Sequence, residues 1–68
     1  MSKIRISING KEKEVEATTI EELLMELQVT GNMFVVEKNR EIVHKENYST
    51  EKVSENDSFE LVGFFGGG

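Results

Sequence analysis

The 68-residue sequence contains no cysteine, no proline and no tryptophan, and it has only one histidine. Without cysteine the chain can form no disulfide bond and no thiolate nucleophile, and it cannot bind a metal through sulfur. The single His44 cannot build a histidine-based metal site, and we expect it to be a surface side chain. A chain of this length is one domain near the lower size limit for folding without cross-links, so it must depend on an apolar core.

Basic residues are also few, with 8 Lys and Arg against 13 Asp and Glu and a net charge of −5. This balance argues against binding to nucleic acid, which requires clustered positive charge. No apolar run approaches the roughly 20 residues of a membrane span, and the N-terminus has no apolar signal region. We therefore expect a cytoplasmic protein that binds neither nucleic acid nor membranes.

Apolar residues alternate with polar ones in several segments, which is the pattern of half-buried strands. Ile4, Ile6 and Ile8 predict a first strand, and Asn9-Gly10 predicts a type I′ hairpin turn behind it. Residues 11–17 then form a polar return strand at the sheet edge, whose charges favour a monomer. Further strands are predicted at residues 33–37, 41–44 and 58–65, with a tight turn at 38–40 and an irregular segment at 46–51.

One helix is predicted between the second and third strands. Thr18 or Thr19 begins it with a capping box, and its apolar stripe is Ile20, Leu23, Leu24 and Leu27. Residues 28–32 end the helix, with left-handed geometry expected at Gly31 and Asn32. On the opposite side we expect three glutamates to form a solvated face, namely Glu21, Glu22 and Glu26.

A single helix with one apolar stripe can cover only one face of a mixed sheet. If the last strand returns parallel to the first, the result is an α+β fold of the β-grasp (ubiquitin-like) type, with about five strands, over residues 1–65. A split βαβ layout would need a second helix, which the sequence does not supply. The predicted core is Ile4, Ile6, Leu23, Leu24, Leu27, Phe59 and Leu61.

Three glycines end the chain and carry no side chains to pack, so we expect residues 66–68 to form a flexible tail. Such a tail can be an incidental frayed terminus. Alternatively, glycine allows an extended C-terminus to enter a narrow cleft of a partner, where ATP would activate the carboxylate of Gly68 as an adenylate. A Gly-Gly end on a β-grasp domain is a much more specific signal for the second interpretation than a Gly-Gly end alone.

The sequence resembles the ThiS family of sulfur carriers over nearly its whole length. The opening strand and turn, the helix start, the third strand with its turn, Tyr48, Asp57 and the glycine tail all occur in the family's order and spacing. The resemblance is carried by residues 6–10 (ISING), 19–24 (TIEELL), 35–43 (VVEKNREIV) and 66–68 (GGG).

The resemblance implies a function for the tail. An E1-like adenylyltransferase of the ThiF type would adenylate Gly68, and a cysteine desulfurase system would supply the sulfur of a thiocarboxylate. A thiazole synthase of the ThiG type would then receive that sulfur. The chain would be a carrier without catalytic residues or bound cofactors, and ATP would be used by its partner, whose cleft would admit Gly66 and Gly67.

Three residues before the tail are candidates for partner docking. Phe64 and Phe65 are aromatic residues where the strand leaves the core, and Val62 is predicted on the outer face of the sheet. Three alternatives stay open at this point. One is a small subunit of molybdopterin synthase of the MoaD type, which the absence of proline disfavours. The others are a ubiquitin-like protein modifier and a binding module with an incidental tail.

Overall fold

A five-stranded mixed sheet with one helix packed against it forms the protein, as seen in a computed structural model that describes residues 3–29, 31 and 33–63. The tail and its two preceding aromatic residues lie outside these residues. The elements in chain order are β1 (Ile4–Ile8), β2 (Lys11–Val15), α1 (Ile20–Glu26), β3 (Phe34–Lys38), β4 (Glu41–Val43), a 3-10 helix (Lys45–Asn47) and β5 (Ser58–Gly63).

The strands lie in the order β2-β1-β5-β3-β4, which is the predicted β-grasp arrangement. The last strand enters the middle of the sheet and pairs parallel with β1 and antiparallel with β3. The polar strand β2 lies at one edge, as its charged sequence predicts. The irregular segment that precedes β5 contains one unpredicted element, the short 3-10 helix.

Two hairpin turns of the same type join β1 to β2 and β3 to β4. Asn9 and Gly10 have φ values of 51° and 84°, and Asn39 and Arg40 have values of 51° and 73°. A type I′ turn requires positive φ at both central residues, and its twist matches that of the flanking strands. Asparagine tolerates this conformation better than most residues, whereas arginine does so less well.

Both turn asparagines bind the backbone of β5. The Asn9 amide donates to the Phe59 carbonyl at 2.9 Å, and Asn9 Oδ1 accepts from the Leu61 amide at 2.9 Å. On the other side the Asn39 amide donates to the Ser58 carbonyl at 2.7 Å, and Asn39 Oδ1 accepts from the Ser58 amide at 2.9 Å. The two hairpins therefore hold the first half of β5 between them.

The core lies between α1 and the inner face of the sheet. Phe59 is its largest fully buried side chain, which places the first half of β5 at the centre of the packing. Two predicted core residues, Ile4 and Leu27, are only partly buried, and Val53 is a core residue that the sequence pattern did not indicate. The buried set is Ile6, Val15, Ala17, Ile20, Leu23, Leu24, Val36, Val43, Val53, Phe59 and Leu61.

Thr19 is the N-cap of α1 and is the second of the two predicted helix starts. Its Oγ1 accepts from the Glu22 amide at 3.2 Å. Glu22 in turn accepts from the amide and the hydroxyl of Thr18, at 2.9 and 2.8 Å. Hydrogen bonds from the Thr18 amide and then from its hydroxyl lower the pKa of Glu22 below its ordinary value of 4.5.

Helix α1 ends at a left-handed glutamine. Gln28 has a φ of 61°, and the Val29 amide donates to the Leu24 carbonyl at 2.9 Å in a Schellman motif. We predicted left-handed geometry for this purpose at Gly31 and Asn32, and that prediction was wrong for the helix end. Gly31 does have a positive φ of 87°, but it follows after the motif has closed, and Asn32 is outside the described residues.

The glutamates on the outer side of α1 are exposed, as predicted, yet one of them also joins the helix to β2. Glu26 Oε1 accepts from the amides of Glu16 and Ala17 at 3.1 and 3.0 Å. These two amides follow the last residue of β2, where the strand ladder no longer pairs them. Glu26 is therefore exposed to solvent, as predicted, and also connects α1 to the end of β2.

Candidate functional site

The far end of β5 is held less than its beginning. Strand β1 is in register with β5 only at Ser58 and Phe59, and the side chain of Asn9 extends the contact to Leu61. Among the residues that the structure describes, Val62 and Gly63 pair with β3 alone. Within the described residues, the end of β5 is therefore partnered on one side.

Gly63 occupies a conformation that no other residue could adopt without change. Its φ is 142°, a value that L side chains rarely adopt. A Cβ atom at this position would lie 2.5 Å from the Met33 carbonyl oxygen and 2.7 Å from the Phe34 Cα. Both obstacles belong to the neighbouring backbone, so a change of side-chain rotamer could not remove them.

Val62 lies on the outer face of the sheet, opposite α1, as predicted for a docking residue. Its side chain is 51% exposed, and it faces Val35, which is 43% exposed, directly across the strand pair. Ile42 on β4 is 58% exposed on the same face. These three side chains, here called the outer patch, form an apolar surface beside the strand end.

Two members of the outer patch, Val35 and Ile42, were not predicted from the sequence. Val35 lies in a nearly continuous apolar run, which does not reveal which side chains face the helix. Its neighbour Val36 is fully buried, and Ile42 is likewise followed by the buried Val43. Because side chains alternate between the two faces of a strand, Val35 and Ile42 could have been assigned to the outer face if one buried residue on each strand had been known.

Acidic side chains border the outer patch. Glu37 and Glu60 are directly opposite each other in the β3–β5 register, two residues along from the Val35–Val62 pair. Like charges placed opposite one another destabilise a sheet. Their presence beside exposed apolar side chains fits a surface that receives a partner with apolar and basic groups.

A groove of about 370 Å³ adjoins the outer patch and shares two of its residues, Val35 and Ile42. Tyr48 forms part of its wall, and burial raises the pKa of this phenol above 10.0, so it is neutral at physiological pH. His44 is exposed at the groove, in agreement with the predicted surface position. The lining is Leu24, Val29, Gly31, Phe34, Val35, Ile42, Val43, His44, Lys45 and Tyr48.

Comparison with known families identifies the chain. The sequence model of the ThiS family matches residues 5–68. The chain belongs to the ThiS family. The match includes Gly66, Gly67 and Gly68, so the glycine tail is part of the family segment and not an addition to it.

A sulfur carrier of similar length is among the relatives of this ThiS-family chain. The sulfur carrier protein ThiS of Bacillus subtilis is 35% identical over 65 residues, which cover 93% of this chain and 98% of that protein. The predicted family is confirmed, and the comparisons favour a ThiS carrier over the molybdopterin synthase and modifier alternatives.

Solved ThiS structures confirm the β-grasp fold of the family member described here. The crystal structure of the thiamine biosynthesis protein ThiS from Geobacter metallireducens superposes with a TM-score of 0.81 at 30% identity. The superposition covers 96% of this chain and 100% of the Geobacter metallireducens chain. A solution structure of a thiamine biosynthesis protein from the same organism gives a TM-score of 0.76 and covers 88% of that chain.

Longer proteins also contain a segment similar to this ThiS-family chain. The thiazole synthase of Paramagnetospirillum magneticum is 42% identical over 66 residues, and that of Magnetococcus marinus is 38% identical over 66 residues. The matches cover 96% of this chain but 20% of each synthase. The chain therefore spans about a fifth of the length of these two relatives.

The described part of the ThiS-family domain shows no cluster of three or more His, Cys, Asp or Glu residues able to hold a metal ion. Within the same residues, no helix has the length and apolar character needed to cross a membrane.

Proposed function

We propose that this chain is a sulfur carrier protein of thiamine biosynthesis, which holds sulfur as a thiocarboxylate on Gly68. The observation that carries the proposal is the family match, which continues through the last residue of the tail. The similarity to the Bacillus subtilis carrier over nearly its full length supports it. The domain over residues 1–65 would present the tail, and its expected location is the cytoplasm.

The chemistry takes place at the terminal carboxylate. A carboxylate oxygen attacks the α-phosphorus of ATP, pyrophosphate leaves, and an acyl adenylate forms with a good leaving group. A sulfur nucleophile at the oxidation level of hydrosulfide then attacks the acyl carbon and displaces AMP. These steps need no cysteine in the carrier, which is consistent with its composition.

Two surfaces would guide the tail to its partners. The outer patch supplies exposed apolar side chains beside the strand end, with Val62 as the member closest to the tail along the chain. Phe64 and Phe65 lie between this strand end and the glycines and would add aromatic contacts. Gly66 and Gly67 would occupy the narrow part of a partner's cleft.

The partners proposed for this carrier follow from its chemistry and from its relatives. The two thiazole synthases that contain a similar segment support a ThiG-type partner that receives the sulfur. An E1-like adenylyltransferase of the ThiF type would use ATP to form the adenylate. A cysteine desulfurase system would provide the sulfur as a persulfide, and a thiol would reduce it by two electrons to the hydrosulfide level, leaving a disulfide. The carrier would act as a co-substrate without an active site of its own.

Intact-mass measurement tests the proposal. The chain is incubated with ATP, a ThiF-type adenylyltransferase and sodium sulfide, and exchange of one oxygen for sulfur should raise its mass by about 16 Da. The matched control is the same chain synthesised with a C-terminal amide on Gly68, which lacks the reacting carboxylate and should not change. An unchanged mass for the natural chain, while an established ThiS carrier reacts in parallel, would refute the proposal.

A further inference from the structure

The glycines that the structure describes differ in what surrounds them. Gly10 and Gly31 have positive φ values, but a Cβ atom at either position would meet nothing within 4 Å. At Gly63 a positive φ of 142° coincides with a Cβ position only 2.5 Å from the Met33 carbonyl oxygen. Two independent constraints, backbone conformation and space, therefore require glycine at this one place.

Gly63 is the last residue of β5 that the structure describes. The asparagine hydrogen bonds described above hold β5 at Ser58 on one side and at Phe59 and Leu61 on the other. Val62 and Gly63 then have their register partners on β3, within the described residues. The dihedral angles of Gly63 are the last backbone angles of β5 that the structure describes, and they influence the direction of the residues that follow.

A small change at this residue would be amplified along the tail. Five residues follow Gly63, and an extended chain of that length spans at most roughly 17 Å. A rotation of about 30° at Gly63 would move the start of the glycine tail, three residues on and at most roughly 10 Å away, by roughly 5 Å. Misplacement of a reacting group by even about 1 Å can cost two orders of magnitude in rate.

We propose that Gly63 is a positioning residue, whose left-handed conformation sets the direction of the C-terminal segment so that its carboxylate reaches the activating enzyme. This inference rests on the proposed carrier function and deepens it. The handedness of the residue is the essential property: a residue with an L side chain would shift φ or displace the Met33–Phe34 backbone, and either change redirects the tail.

Chirality provides the test. The chain is short enough for chemical synthesis, and Gly63→Ala is made once with L-alanine and once with D-alanine. A D residue favours positive φ, and its methyl group replaces the other α-hydrogen, away from the position that meets Met33. ATP–pyrophosphate exchange by a ThiF-type adenylyltransferase is measured as a function of carrier concentration for each variant.

We expect the L-alanine form to lower kcat by about tenfold or more while KM stays within about threefold, because docking by the folded domain is retained. The D-alanine form should keep kcat within about threefold of the natural chain. A role in strand packing alone would change the thermal unfolding midpoint without this difference in kcat. Gly10→Ala is the matched control, since it strains a positive φ far from the tail, and it should leave kcat unchanged.

The outcomes separate this inference from the function on which it rests. If the natural chain gives no exchange, the carrier function fails. If the natural chain reacts and the folded L-alanine form reacts equally well, the positioning role is wrong. Equal loss with both alanine forms would show that size and not handedness matters, which also overturns it. If the L-alanine form does not fold, an inactive but folded D-alanine form contradicts the inference, and an active one supports it.

Discussion

The two halves of β5 are held in opposite ways. In the first half, from Ser58 to Leu61, Phe59 has a strand on each side, and the Asn9 side chain extends the contact to Leu61. Both turn asparagines bind this backbone, and Phe59 is completely buried. In the second half, Val62 is half exposed, and both it and Gly63 have described register partners only on β3. One short strand thus contains a part held on both sides and, among the described residues, a part paired on one side only.

This difference separates stability from function along the chain. Within β5 the described core residues are Phe59 and Leu61, so burial stabilises the strand mainly before Val62. The exposed pair Val35 and Val62 and the opposed carboxylates beside it contribute little to folding or oppose it. The side chains of such a surface can be suited to a partner without loss of stability, whereas side chains in the core are constrained by packing.

Removal of Gly67 and Gly68 should have the largest effect on function and the smallest on folding. We expect activation to be lost, because the reacting carboxylate is displaced by two residues, whereas the free energy of unfolding should change by less than about 0.5 kcal/mol. Intact mass after incubation with ATP and sulfide gives the first result, and urea unfolding gives the second. Loss of cooperative unfolding in this variant would show that the tail also stabilises the fold.

Asn39→Ala should weaken the anchored half of β5. The substitution removes the Oδ1 acceptor of the Ser58 amide and places alanine at a φ of 51°, for a combined cost of about 2 kcal/mol. Urea unfolding measures the free energy. Asn39→Gly is the matched control, since it tolerates the positive φ and loses only the side-chain bonds, and its cost should be about 1 kcal/mol. Equal costs for the two variants would contradict an important role for the conformation.

Most of the anchored half could be predicted from the sequence, because its signals are local. Strand periodicity and Asn9-Gly10 determine the first hairpin, and the polar residues 11–15 indicate an edge. The side-chain bonds from the asparagines to β5 could not be predicted. Asn9 and Leu61 are 52 residues apart, and only the assembled sheet brings them to 2.9 Å.

Less of the second half of β5 could be predicted from the sequence. Val62 was placed correctly on the outer face, but Val35 and Ile42 were missed because their strands gave no indication of which side meets the helix. The special role of Gly63 had no local signal either, since glycine can serve many purposes and the obstructing backbone belongs to another strand. Gln28 ends the helix for a similar reason, because the hydrogen bonds of the Schellman motif outweigh the preference for glycine.

Val62→Ala tests the exposed half of the comparison. We expect KM for adenylation to rise about fivefold, equivalent to about 1 kcal/mol of docking energy, with a loss of unfolding free energy below about 0.5 kcal/mol. The control is Val36→Ala, which makes the same change at a fully buried position and should cost about 2 kcal/mol of stability without raising KM. A KM for Val62→Ala equal to that of the natural chain would exclude this side chain from docking.

The smallest expected effect is a gain in stability at the second hairpin. There Arg40, with a φ of 73°, occupies the turn position that Gly10 occupies in the first hairpin. Arg40→Gly should raise the free energy of unfolding by about 0.5 kcal/mol, since relief of the left-handed strain exceeds the added entropy of the unfolded chain. Gly10→Ala is the reciprocal change and should cost about 1 kcal/mol by conformation alone, because a Cβ atom there meets nothing within 4 Å. Urea unfolding resolves both if the variants are measured together. A loss of stability in Arg40→Gly would mean that the arginine side chain stabilises the turn by more than its backbone conformation costs, so that the two hairpins hold β5 by different means.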